Sequence, residues 1–485
     1  INESSTITSL AVAHTTPVSI AAGKTLSGGI TVTAGSIKLG ETGTLASTVT
    51  MSGGTLDADN NLTLSGALTQ SGNITIDVAE NKTLGYSGAA VNLGAKTLTM
   101  SGKGTFNNTN ALVLNNASSK LLLDNTTTVG KVSTSLASSG IDINESSTIT
   151  SLAVGHTTPV SIASGKTLSG GITVTAGSIK LGEAGTLASN ISMSGGTLDA
   201  DNNLTLSGAL TQSGNITIDV AEDKTLSYSG AAVNLGAKTL TMSGKGTFSN
   251  TNALVLNSAY SKLRLSNTTT VSSVSTSANI SGLGIDVDES STITSLAVGH
   301  VTPVSIAAGK TLSGAVTVTG GSIRLGETGT LASTVSMSGG TLDANNNMTI
   351  SGALSHSGNI TIDVYSNKTL TYSGTAINVG ANTITLSGGG SLVSGGITLN
   401  NAQSKLLLNS ITLDSASTSA NSLGLDVDGN SAITSLSVGH ITPVSIKANR
   451  TLSGSIAVTA GSIKLGETGT LASTVSMSGG TLDAD

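Results

Sequence analysis

The chain has 485 residues, of which 10% are charged and 1% aromatic, with a net charge of −6 and neither cysteine nor tryptophan. Its 21 basic and 27 acidic residues are scattered singly, which excludes the electrostatic footprint of a nucleic-acid or anionic-lipid binder. No apolar run approaches the ~18 residues that span a bilayer, and without cysteine there is neither disulfide stapling nor thiol chemistry.

In chain order, the first distinctive phrase runs from Ala13 through His14-Thr15-Thr16-Pro17 to Ser47. It returns around His156, His300 and His440, at nearly even intervals. Self-similarity of this kind marks stacked repeats, each burying its apolar face on the next. The units are 1–142, 143–286, 287–426 and a shorter 427–485. Ile1 matches Ile143, Val287 and Val427, and Thr481 to Asp485 match Thr197 to Asp201. The chain therefore reads as one continuous solenoid, a window onto a longer array.

A shorter period lies inside each unit. The segments starting at Ile30, Val49 and Leu68 align with one another at a common nineteen-residue step, which predicts three columns of stacked apolar side chains. These are Ile30/Val49/Leu68 with Val32/Met51, then Ile37/Leu56/Ile74, then Leu45/Leu64/Leu84. Alternation turns the intervening residues outward: Thr31, Thr33, Thr50, Ser52, Thr69 and Ser71 form a hydroxyl ladder. Gly53-Gly54, Asp59-Asn60-Asn61 and Asn81-Lys82 supply the tight corners. From about Ser87 to Gly140 the pattern loosens, and loops or uneven coils are expected there.

A helical reading fails because Thr, Ser, Gly and β-branched residues dominate. The expected fold is an all-β, right-handed parallel β-helix with three strands and about 19 residues per coil. At the usual interstrand spacing one unit rises about 34 Å and the whole window about 115–120 Å. One set of side chains tests the register separately. Lys38 and Asp57, Lys180 and Asp199, Arg324 and Asp343, and Lys464 and Asp483 are all separated by the same step, so cation should lie over carboxylate on adjacent coils. Each exposed pair contributes roughly 0.2–1 kcal/mol.

Candidate chemistry is sparse. The histidines His14, His156, His300 and His440 lie ~34 Å apart by this geometry, with no second ligand nearby in sequence, and read as turn markers beside a proline at a strand end. His356 occupies the position of Gln70 and Gln212. Asp57-Ala58-Asp59-Asn60-Asn61 offers oxygen ligands for calcium, but its third copy reads Asp343-Ala344-Asn345-Asn346-Asn347, and a corner Asx-turn explains it better. Glycoside hydrolysis requires facing carboxylates and acyl transfer a nucleophile with its base; neither arrangement is visible. Thr-x-Thr rows could match ice or a crystal surface, yet Ala457 interrupts them. The sequons at Asn73 and Asn81 follow from an Asn- and Thr-rich composition.

The phrases around Gly54-Thr55-Leu56, Asn61-Leu62-Thr63-Leu64-Ser65-Gly66 and Lys96-Thr97-Leu98-Thr99-Met100-Ser101-Gly102 resemble the β-helical passengers of bacterial autotransporters and filamentous-haemagglutinin-type giant adhesins. That resemblance implies export to the cell surface and a role as stalk or adhesin. The chain is accordingly expected to be a non-enzymatic extracellular rod or fibre segment without a cofactor, self-associating along or between rods. An adhesin module with a surface or glycan ligand is the alternative, and ice or crystal binding a minor one. Neither nucleic acid nor membrane insertion is expected.

Overall fold

A computed structural model describes residues 1–282 and 284–484. Its described residues form strands, turns and bends, and no helix is long and apolar enough to cross a membrane. The chain divides into two compact units, Ile1–Val233 with Ser243–Asn252, and Asn234–Met242 with Ala253–Asp485. Each is a parallel β-solenoid. Two sheets run through it, one described by 36 strands and one by 24, the latter with a single strand per coil.

A regular coil of the first unit shows how the sequence closes. Thr44–Leu45 and Thr48–Met51 lie in the first sheet and Thr55–Ala58 in the second, so each coil has three strands. Ile30 pairs with Val49 and Val49 with Leu68, the stacked column expected from the nineteen-residue step. All three side chains are at most 2% exposed. Burying each such aliphatic contributes about 1.5–3 kcal/mol, so the column and its backbone ladder carry the stability. The second unit repeats the scheme, with Val316 on Val335 and Val335 on Leu354.

Two expected stacks are corrected. Leu56 pairs with Ile76, not Ile74, and Leu64 pairs with Tyr86, not Leu84. The coils lengthen after Leu64: the sequence distance from Ile76 to its partner Met100 is greater by five than that from Ile37 to Leu56. The mean coil is therefore longer than the Ile30-to-Val49 step. Each error is a slip of two, which keeps the inward face inward.

The looser segment after Ser87 continues as coils. Here the core changes chemistry, because Tyr86 and Phe106 enter it with ring centroids 5.9 Å apart. Tyr86 Oη accepts the Leu68 N–H at 3.1 Å and donates to the Ala89 carbonyl at 2.5 Å. Asn108, 2% exposed, donates to the Asn110 and Lys131 carbonyls and accepts from the Gly130 and Lys131 amides. A buried amide so fully bonded avoids the desolvation penalty.

Pairing in the second sheet also creeps. Partners followed from Thr16 run through Ile37, Leu56, Ile76, Met100, Leu123 and Ile143 to Ile162. Ile162 is the counterpart of Ile20, so the register advances by four positions in one repeat. An even advance preserves which side chains face in.

Candidate functional surface

Outward residues divide by sheet. Within the strands of the first sheet the only ionisable groups besides buried tyrosines are Lys131, His356 and Asp414, among the described residues. Thr31, Thr33, Thr50, Ser52, Thr69 and Ser71 are all exposed there or at its corner. Thr31, Thr50 and Thr69 are in register, and the Thr69 hydroxyl donates to that of Thr50 at 3.2 Å. Farther along the first sheet, an outward row runs through Asn92, Val113, Ser133 and Ala153. It is a face of small, uncharged groups without a strict repeat.

Charge is concentrated on the second sheet. Lys38 Nζ lies 3.1 Å from Asp57, Lys180 3.0 Å from Asp199, Arg324 Nε 3.1 Å from Asp343 and Lys464 3.9 Å from Asp483. Each of the first three carboxylates also faces another across the next rung, Asp77, Asp219 and Asp363. Those outer carboxylates accept a hydroxyl, as Asp77 does from Ser101 at 2.8 Å and Asp219 from Ser243 at 2.7 Å. Further pairs escaped the nineteen-residue rule because their coils are longer, such as Lys166 with Glu145 at 2.7 Å and Lys405 with Asp426 at 2.5 Å.

Burial holds the Asp57, Asp199 and Asp343 carboxyls above the ordinary carboxylate range, and the neighbouring acids, Asp363 foremost for Asp343, push the same way. Lys38 and Lys180 are raised by hydrogen bonds to their partners. The attraction is therefore real, yet desolvation outweighs it at the acid. An acid that holds its proton more tightly folded than unfolded favours folding while protonated. Stability from these three groups is gained as pH falls through their folded-state values toward 3.8 and lost as pH rises. The triple variant Asp57→Asn/Asp199→Asn/Asp343→Asn should flatten that pH dependence and, at pH 7, unfold in urea within about 1 kcal/mol of the parent or above it. A loss greater than about 2 kcal/mol would show that attraction wins.

The repeated histidines act through their backbones. The carbonyls of His14, His156, His300 and His440 each accept a threonine hydroxyl two residues on, at 2.9–3.0 Å. His356 bridges coils, with Nδ1 3.0 Å from the Gly358 carbonyl and Nε2 3.0 Å from that of Asn378. Gln70 makes a comparable bridge to Leu93 at 2.9 Å. The acidic corner disperses its groups: Asp57 joins Lys38, Ala58 is in the core, Asn60 donates to the Gly40 carbonyl and Asn61 accepts the Thr83 N–H at 2.8 Å. Among the described residues no three acidic or histidine side chains gather into a metal-binding group.

A corner where the third repeat passes into the fourth departs from its counterparts. A groove of about 460 Å³ opens between Gly389 and Ser453, lined by Ser410, Thr412, Asn430 and Thr451. Its corner Asn409-Ser410-Ile411 is one residue shorter than Asp124-Asn125-Thr126-Thr127 or Ser266-Asn267-Thr268-Thr269. Comparison with known protein families, characterised proteins and solved structures finds no match.

Proposed function

We propose that the chain is a non-catalytic spacer: a segment of an extracellular stalk or fibre on a bacterial surface, whose reach is set by repeat number. The observation that carries this reading is the equivalence of the pairing from one repeat to the next. Ile30 on Val49, Ile172 on Ile191, Val316 on Val335 and Ile456 on Val475 are the same rung. An added repeat extends the core without altering any neighbour, as a length-setting element requires. The resemblance of the strand phrases to autotransporter passengers and giant adhesins supports the placement at the cell surface. The first-sheet face, with few charges in its strands, suits lateral contact between copies.

Excising residues 143–286 tests the proposal, because Asp142-Val287 recreates the natural Asp286-Val287 junction. Small-angle scattering should show the longest dimension reduced by about 34 Å, with the thermal midpoint almost unchanged. An unfolded product, or an unchanged dimension, would refute the spacer reading.

An adhesin reading is favoured by a separate observation: the repeats differ at several outward positions, among them ones in the looser coils. Leu122, Arg264 and Leu407 are counterparts, and exposed Tyr260 and Tyr365 replace Ser118 and Ala79.

A further inference from the structure

Where the third repeat passes into the fourth, one corner differs from its counterparts by several changes that converge. In the second repeat Glu222 and Lys245 form an ion pair on adjacent coils at 3.5 Å. Their counterparts are Ser366 and Gly389, so both charges are removed together. One position before Ser366, Ala79 and Ala221 give way to Tyr365, which is 59% exposed. Tyr365 forms a β-bridge with Gly389, which lines the groove.

The next coils continue the replacement. Asp124 becomes Asn409, and the shortened corner turns through Ser410 at φ 58°. Glu145 and Glu289 become Gly429, where a Cβ would meet Ser410 Oγ at 2.4 Å, so the shortened corner itself excludes a glutamate. Glu145 and Glu289 pair with Lys166 and Lys310 at 2.7 and 2.6 Å. Arg450, the counterpart of those lysines, is exposed and has lost that acid. Lys447 stands where Ala163 and Ala307 stand, with Asp428 3.9 Å away. The result is a hydroxyl- and amide-lined trough flanked in the order of the coils by exposed Tyr365, bridged to Gly389, and by exposed Arg450, the neighbour of Thr451. Asn430 accepts the Thr451 N–H at 3.1 Å through Oδ1, which leaves its amide hydrogens facing outward as donors.

We propose that this corner, from Tyr365 to Arg450, binds a short acidic oligosaccharide. Four coil spacings separate its ends, about 19 Å, the reach of a few linked sugars. The tyrosine offers an amphipathic platform for a pyranose ring. Ser410, Thr412 and Asn430 match sugar hydroxyls as donors and acceptors. Arg450 presents a fork to a uronate carboxylate. Removal of the Glu80, Asp124 and Glu145 equivalents takes three carboxylates from this corner, and the one beside Gly429, Asp428, has Lys447 next to it.

Isothermal titration of the full chain with tetragalacturonate, and with cellotetraose as neutral comparator, tests the site. Tetragalacturonate is expected to bind with a dissociation constant on the order of 1 mM or tighter, and cellotetraose at least about tenfold more weakly. Tyr365→Ala should weaken both, while Arg450→Gln should bring the two sugars to parity. Ser366→Glu with Gly389→Lys rebuilds the ion pair of the second repeat and should abolish binding without loss of fold by circular dichroism. The excision of residues 143–286 leaves the groove intact and should bind as the parent does, which separates this site from the spacer reading. Absence of tetragalacturonate binding in that range, equal binding of cellotetraose by the parent, or binding that survives the rebuilt ion pair would overturn the proposal.

Discussion

Gly170→Ala should destabilise its coil by on the order of 3 kcal/mol or more. Gly170 has φ 115° and lies in the bulge where Ile149 pairs with Gly170 and Ser151 with Gly171. A Cβ there would sit 1.9 Å from the Ile149 carbonyl oxygen, a distance that only backbone movement can relieve. Gly28, Gly314 and Gly454 repeat the geometry at 1.7–1.8 Å from Ile7, Ile293 and Ile433. Gly165 provides the control, with φ 74° but no atom within 4 Å of a Cβ. Gly165→Ala should therefore cost only the left-handed penalty of about 1–2 kcal/mol. Because repeats couple to nearest neighbours, the damage at Gly170 should stay local. Hydrogen exchange is the measurement, with faster exchange expected across Ile149–Gly171 and little change near Leu26. Equal protection in Gly170→Ala and Gly165→Ala would refute the steric account.

The second large effect is expected from the paired variant Tyr86→Phe/Tyr228→Phe. Each hydroxyl stands in for a ladder partner, since Tyr228 accepts the Leu210 N–H at 3.1 Å and donates to the Ala231 carbonyl at 2.6 Å, as Tyr86 does with Leu68 and Ala89. Phenylalanine keeps the ring and its stacking on Phe106 or Phe248, but leaves one donor and one acceptor without partners. A loss of about 1–3 kcal/mol per site follows, and sites so far apart in the ladder should add. Urea unfolding of the two single variants and the pair would measure this. Tyr86→Ala should cost more, about 3–5 kcal/mol, because it also opens a cavity. A double variant indistinguishable from the parent would mean that the hydroxyls play no structural part.

What could be read from the residues alone divides along coil length. Wherever coils keep the Ile30-to-Val49 step, alternation fixed both face and partner, as for Ile30 on Val49 and Lys38 beside Asp57. Where coils lengthen, alternation still specified the inward face but not the partner, because a period of two is blind to a slip of two. Hence Ile74 was expected where Ile76 pairs, and Leu84 where Tyr86 pairs. The Lys405–Asp426 pair was invisible for the same reason. Asn108 in the core had no apolar signature, since its four hydrogen bonds come from backbone groups of Asn110, Gly130 and Lys131, two of them a full coil away. The groove by Ser410 arises from a shortened corner, and what a missing residue exposes depends on coils above and below it.

The concentration of in-strand ionisable groups on the second sheet makes the two sheet faces of each compact unit differ in their response to solvent. Added salt screens interactions between exposed charges beyond roughly 10 Å at 0.1 M, so adhesion steered by the lysine and aspartate flank would weaken in brine. Adhesion through the threonine flank would be indifferent to ionic strength. The two sheet faces of each unit would therefore answer differently to brine.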